Sequence, residues 1–115
     1  MARRPNRVKP RLARVASGYV GILSFDLHFP EGASLKGKRR ELLSLKSDLQ
    51  RRTGAAVAEV DFHELWQRAR LTVAIVDRHS SAVGRLLDEA ERLVVSRAYH
   101  AGPFERGLVT PEDLQ

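Results

Sequence analysis

Lys36, Lys38, Arg39 and Arg40 crowd into one short stretch, and Lys36, Arg39 and Arg40 stand at i, i+3 and i+4. On a helix that spacing sets the three on one face. Cations at a helix start oppose the macrodipole, whereas an anion there is favoured, so the cluster suits a phosphate-bearing partner. Farther along, Trp66 and Arg68 offer a ring for stacking and another phosphate contact. Lys36, Lys38, Arg39, Arg40, Trp66 and Arg68 therefore make up a candidate nucleic-acid-binding set. The competing explanation is structural: the basic residues solvate a helix, and Trp66 plugs one end of the core.

A second set carries different chemistry. Asp26 and His28 alternate on one strand pattern, Glu59 and Asp61 on another, and carboxylates with imidazole can bind divalent metals. If a third strand carrying Arg70 and Thr72 lies between them, the two pairs are about 9–10 Å apart. A salt-bridged, solvent-facing sheet is then the expected arrangement. His63-Glu64-Leu65-Trp66-Gln67 begins like the zinc-protease helix signature, but Gln67 stands where the second histidine must be. P-loop, dinucleotide fingerprint and nucleophile elbow are absent, and no serine has an identifiable base partner. The expectation is a non-enzymatic protein without catalytic residues, metal or cofactor. A small enzyme using the Asp26, His28, Glu59 and Asp61 face is the alternative.

The elements that must position these residues follow from periodicity. From Tyr19 to Phe29, Leu23, Phe25 and Leu27 alternate with Ser24, Asp26 and His28, the period of a half-buried strand. After Pro30 and Gly32, Ser34 is a suitable N-cap for a helix to about Arg52, with Leu35, Leu42, Leu45 and Leu49 inward and Gly54 as its stop. A second strand is expected with Ala56, Ala58, Val60 and Phe62 inward and Val57, Glu59 and Asp61 outward. A connection through His63 to Gln67 leads to a third strand near 68–77. A second helix starts near Ser80 or Ser81, its apolar face built from Val83, Leu86, Leu87, Ala90, Leu93 and Val94. A short fourth strand comes from residues 98–100 or from 104–109. Strand, helix, strand, strand, helix, strand with right-handed crossovers predicts an α+β, ferredoxin-like split-βαβ sandwich, an antiparallel sheet with two helices on one face. In that topology the turn before Ser34, the hairpin from Phe62 to Arg68 and the segment after the second helix meet at one end.

The open face of such a sheet would show Ser24, Asp26, His28, Glu59, Asp61, Arg70 and Thr72. None is aromatic, so base stacking on the sheet is not expected, and RNA binding falls to the end of the domain.

Composition restricts the partners. At 115 residues there is room for one domain, taken as 18–115. Of the 20 lysines and arginines, Arg3, Arg4, Arg7, Lys9, Arg11 and Arg14 precede Gly18 with no acid among them, and the remainder balance the 14 acids. The net charge of +6 thus belongs to a basic segment, 1–17, with Pro5 and Pro10, expected to be disordered. It reads as a solubilising arm, as the product of an upstream start codon, or as a sequence-independent aid to RNA binding. Its Arg-rich start is also like an organelle transit peptide, against which stands the bacterial look of the rest. Without cysteine there are no disulfides or thiolate sites. No apolar run nears the roughly 18–20 residues that span a bilayer, and a cytoplasmic protein with no membrane partner is expected.

Two segments carry a family resemblance. Ser34-Leu35-Lys36-Gly37-Lys38-Arg39-Arg40 is similar to the Ser-Leu-Lys-x-Lys-Arg motif of the YlxP-like bacterial proteins, a domain-of-unknown-function family. Val57-Ala58-Glu59-Val60-Asp61-Phe62-His63-Glu64-Leu65-Trp66-Gln67-Arg68-Ala69 resembles its Val-Ala-Glu…Asp-Leu-Trp-Gln-Arg-Ala stretch. The match runs from about Tyr19 to Val95, while the basic segment is extra and the C-terminal part is more broken than the family's last strand. The resemblance implies a ferredoxin-like fold and genes often near translation-initiation and ribosome-maturation factors. The resulting expectation is an accessory protein associated with RNA or the ribosome. The alternative partner is another protein or a second copy, docked on the exposed sheet face or an edge strand.

Overall fold

The computed structural model describes residues 17–30, 34–97 and 100–114. Apart from Ser17, the basic N-terminal segment lies outside the described residues. The elements are β1 (Tyr19–His28), α1 (Leu35–Thr53), β2 (Ala56–Asp61), β3 (Arg68–Asp77), α2 (Ser80–Val95), β4 (His100–Ala101), β5 (Glu105–Val109) and a closing 3-10 turn (Pro111–Leu114).

Local chemistry sets these limits. Ser34 is extended, and its Oγ accepts a hydrogen bond from the Gly37 N–H at 3.0 Å, satisfying one orphan donor of α1. Gly54 ends α1 in the left-handed region (φ 71°), where a side chain would be strained. α2 begins without a side-chain cap at His79; instead Asp77 Oδ2 accepts from the His79 N–H at 2.8 Å.

β3 lies antiparallel between β2 and β1, and the strand order β2-β3-β1-β4 is that of the split-βαβ sandwich. Of the first candidate fourth strand, 98–100, residues 98 and 99 lie outside the described residues and His100 opens the two-residue β4; the second, 104–109, is β5. β4 and β5 pair with β1 in turn, their registers offset by one residue: Leu27 opposes Ala101, whereas Ser24 opposes Glu105. Between them the chain bulges, with the Gly102 N–H donating to the Asp26 carbonyl at 2.8 Å and the Phe104 ring 5.2 Å from Phe25. Pro103, in this bulge, is compatible with an edge position.

Both helices cover one face. Leu23, Phe25, Leu27, Leu71, Val73 and Ile75 from the sheet meet Leu42, Leu45 and Leu49 of α1 and Val83, Leu87, Ala90 and Val94 of α2. Ion pairs at the margins tie the layers: Arg97 to Asp48, Arg52 to Glu89, and Arg106 of β5 to Asp88 and Glu91 of α2.

The strand expected from Ala56, Ala58, Val60 and Phe62 is reversed in phase. Ala56, Ala58 and Val60 are exposed, while Val57 opposes Val73 and Glu59 opposes Leu71 on the helix side. A bulge between Glu59 and Asp61 then returns Asp61 to the open face, opposite Arg70. The physical reason is a counter-charge. Glu59 turns toward the helices because Lys38 waits there, 3.0 Å away.

Candidate nucleic-acid interface

The start of α1 and the β2–β3 hairpin meet at one end of the domain, where Lys38 fastens them. Its ammonium donates to the carbonyls of Phe62 at 2.7 Å and Leu65 at 2.6 Å and lies 3.0 Å from Glu59 Oε2. The side chain is 1% exposed. Lys38 is therefore not a phosphate contact; it is the clamp that holds the hairpin against the first turns of α1. Its place in the buried stripe was readable, since it precedes Leu42 by four residues and Leu45 by seven.

Lys36, Arg39 and Arg40 remain on the surface beside the clamp. The basic residues of the domain fall into two groups. Lys38, Arg51, Arg52, Arg68, Arg70, Arg92, Arg97 and Arg106 are in ion pairs. Lys36, Arg39, Arg40, Lys46, Arg78 and Arg85 have no such partner among the described residues. Three of the unpaired cations thus share the opening turns of α1.

The hairpin tip presents Leu65 and Trp66, the latter 37% exposed and so accessible rather than a plug in the core. Phe62 adopts a left-handed conformation (φ 65°), rare for an aromatic residue. Its ring lies 4.0 Å beneath the Arg68 guanidinium. Arg68 also donates to Asp26 Oδ2 at 3.0 Å, which leaves it already paired rather than free for phosphate. Nothing in the sequence beyond the hairpin spacing marked the Phe62–Arg68 stack.

Asp26 is the hub of the open face, with Arg68 on one oxygen and Arg70 at 2.8 Å on the other; Arg70 also reaches Glu105. The hydrogen bond from Arg70 holds the Asp26 carboxyl below its ordinary value, with Arg68 adding to the effect against the cost of burial. A carboxylate with a lowered folded-state pKa stabilises the fold at pH above its unfolded value. That contribution fades as pH falls through the lowered folded-state value. Asp26→Asn is thus expected to lose about 1 kcal/mol at neutral pH and to converge with the parent in acid, as read by urea unfolding at a series of pH values. A loss that stays constant down to acid pH would show that the carboxylate charge is not the cause.

The four residues of the alternative enzyme face are not brought together. Asp26 and His28 share the open face with Asp61, but Glu59 is on the other side with Lys38. Among the described residues no group of three or more histidines, aspartates or glutamates is disposed to hold a metal ion. No helix is long and apolar enough to cross a membrane among them.

Strand order and one-sided helices define a two-layer α+β domain of ferredoxin-like topology. The chain belongs to the family described as "Protein of unknown function (DUF503)", whose model matches residues 20–101. No curated protein matches it in sequence. Among solved structures it is similar to a mutant of SnoaB, a cofactor-independent oxygenase from Streptomyces nogalater, at 14% identity and a TM-score of 0.46, covering 83% of this chain and 93% of that one. It is also similar to the de novo designed protein Ferredog-Diesel, at 18% identity and a TM-score of 0.42, covering 90% and 99%.

Proposed function

We propose that this protein is a non-enzymatic, cytoplasmic accessory that binds RNA, on the ribosome or during its maturation, through the end of the domain clamped by Lys38. The observation that carries the reading is the set of unpaired cations Lys36, Arg39 and Arg40 in a domain where most arginines are internally paired. Holding charge unpaired at a helix start costs stability that an anionic partner would return. Trp66 adds a stacking surface beside it. The ribosome is singled out by the translation-linked gene neighbourhood that the family resemblance implies.

Ribosome-subunit co-sedimentation and RNA binding as a function of salt test the reading. Replacing Lys36, Arg39 and Arg40 together with alanine is expected to abolish co-sedimentation and to lower the salt slope by about 2, at roughly 0.7 per charge on single strands. The melting temperature should not fall, because the three side chains make no ion pair to lose among the described residues. Unchanged co-sedimentation would overturn the assignment. A chain beginning at Gly18 separates the domain's share from that of the basic segment, whose six charges are worth a slope of about 4.

A further inference from the structure

The sheet face opposite the helices has nothing over it among the described residues. Read across the strands, its rows are Val76–Val20–Val109, then Ala56–Ala74–Ile22–Gly107, then Ala58–Thr72–Ser24–Glu105. Beyond them lie Asp61–Arg70–Asp26 and Arg68–His28–His100. One end of the face is apolar across the whole sheet, with Val76 69% exposed. The other end is polar, and its arginines are paired within it. Ser24 and Thr72 share a hydrogen bond at 2.8 Å, Asp26 holds Arg68 and Arg70, and Arg70 also meets Glu105.

We propose that a second copy of this chain packs on this face, sheet against sheet, with apolar end over apolar end. A two-fold axis parallel to the strands produces that overlap, as an isologous interface requires.

Charge selects the occupant. The arginines on this face are spent on its own carboxylates. A nucleic acid therefore finds no unpaired lysine or arginine in these rows, and no ring but the imidazoles of His28 and His100 at the polar end. Asp61 is the one carboxylate of the rows outside an ion pair among the described residues. A second copy brings the same internally paired arginines and asks for no further cation. Its own unpaired Lys36, Arg39 and Arg40 ride on α1, on the far side of the sheet, so two basic chains meet without opposing their cationic surfaces.

Area agrees with this choice. β1 and β3, ten residues and so about 33 Å long, with the shorter β2 and the β4–β5 edge beside them, give a flat footprint of about 500 Å² before side-chain relief is counted. A standard stable interface needs about 800 Å² per partner. Ala56, Ala58, Ala74 and Gly107 keep the face low enough for another sheet to approach at the usual spacing of about 10 Å.

Light scattering on the eluting full-length chain at micromolar concentration is the test. The expected mass is twice the 12.9 kDa of one chain, with a melting temperature that rises with concentration. Val76→Glu and Ile22→Glu should each return the single-chain mass with an unchanged far-UV circular dichroism spectrum and a melting temperature independent of concentration. Val76 is exposed in the monomer, so its replacement does not threaten folding. Leu43→Glu, on the exposed side of α1, should leave the dimer intact. A parent chain that stays monomeric overturns the proposal, as does a dimer that survives both sheet-face variants or is broken by Leu43→Glu. This inference is independent of the RNA reading, which co-sedimentation tests separately.

Discussion

Lys38→Met is expected to destabilise the protein by about 3–5 kcal/mol, the usual cost of removing one partner from a buried ion pair. For a domain near 100 residues that loss lowers the melting temperature by roughly 12–40 °C. Methionine matches the length of the lysine stem and keeps its packing, so the loss isolates the charge and its hydrogen bonds. Three groups are stranded at once: the Phe62 and Leu65 carbonyls and the Glu59 carboxylate, whose buried Oε2 has no donor but Lys38. The carbonyls sit in an exposed hairpin and regain water cheaply, so Glu59 dominates the cost. Adding Glu59→Leu to Lys38→Met should then recover a large part of the loss, since the pair is replaced by apolar contact. Thermal unfolding of the parent, both single variants and the double variant closes the cycle. A Lys38→Met variant within about 1 kcal/mol of the parent would mean an exposed surface lysine, and the clamp would be refuted.

That contrast also separates the two roles in one run of residues. Lys36, Arg39 and Arg40 should matter to binding and not to stability, whereas Lys38 matters to stability first. Counting charge in the sequence merges them, because net charge carries no direction. The helical angle divides them: Lys38 falls in line with Leu42, Leu45 and Leu49, and its neighbours do not.

The elements were legible wherever one periodicity governed a long segment. β3 and α2 lie where alternation and i, i+3, i+4 spacing put them, and Ser34 and Gly54 bound α1 for the reasons their chemistry gives. β2 was misread because its alternation, Ala56, Ala58 and Val60 against Val57, Glu59 and Asp61, is nearly symmetric in bulk. Small alanines tolerate exposure, and a paired glutamate tolerates the inner side, so pattern alone chose the wrong phase. The broken fourth strand had the opposite problem. Gly102 and Pro103 read as an end of pairing, yet an edge strand can carry a bulge and resume one residue out of register, as β4 and β5 do. The candidate site was half legible: sequence spacing put Lys36, Arg39 and Arg40 on one face, but ion pairs between residues some 40 positions apart, such as Arg68 with Asp26, depend on register.

Gly21→Ala is the second change expected to act strongly, although it adds only a methyl group. Gly21 lies in β1 where α2 crosses it, and a Cβ there would stand 2.3 Å from Val83 Cγ1 and 2.9 Å from Leu87 Cδ1. Leu87 can swing its end aside. Val83 cannot, because a β-branched side chain in a helix is held to one rotamer, and it is fully buried. The helix itself must therefore lift from the sheet, loosening Ala90 and Val94 along with Val83. Overpacking of this kind costs typically 1–3 kcal/mol, and the rigid contact argues for the upper end. Replacing glycine restricts the unfolded chain and returns about 0.4–1 kcal/mol, leaving a net loss near 2 kcal/mol and a melting temperature roughly 8–16 °C lower. The cause is identified by coupling. Val83→Ala alone opens a cavity and destabilises, but in the Gly21→Ala background it also removes the obstruction. The double variant should consequently be more stable than the sum of the single losses by at least about 1 kcal/mol. Simple additivity would mean that the added methyl group does not press on Val83, and that α2 is seated on β1 by some other contact.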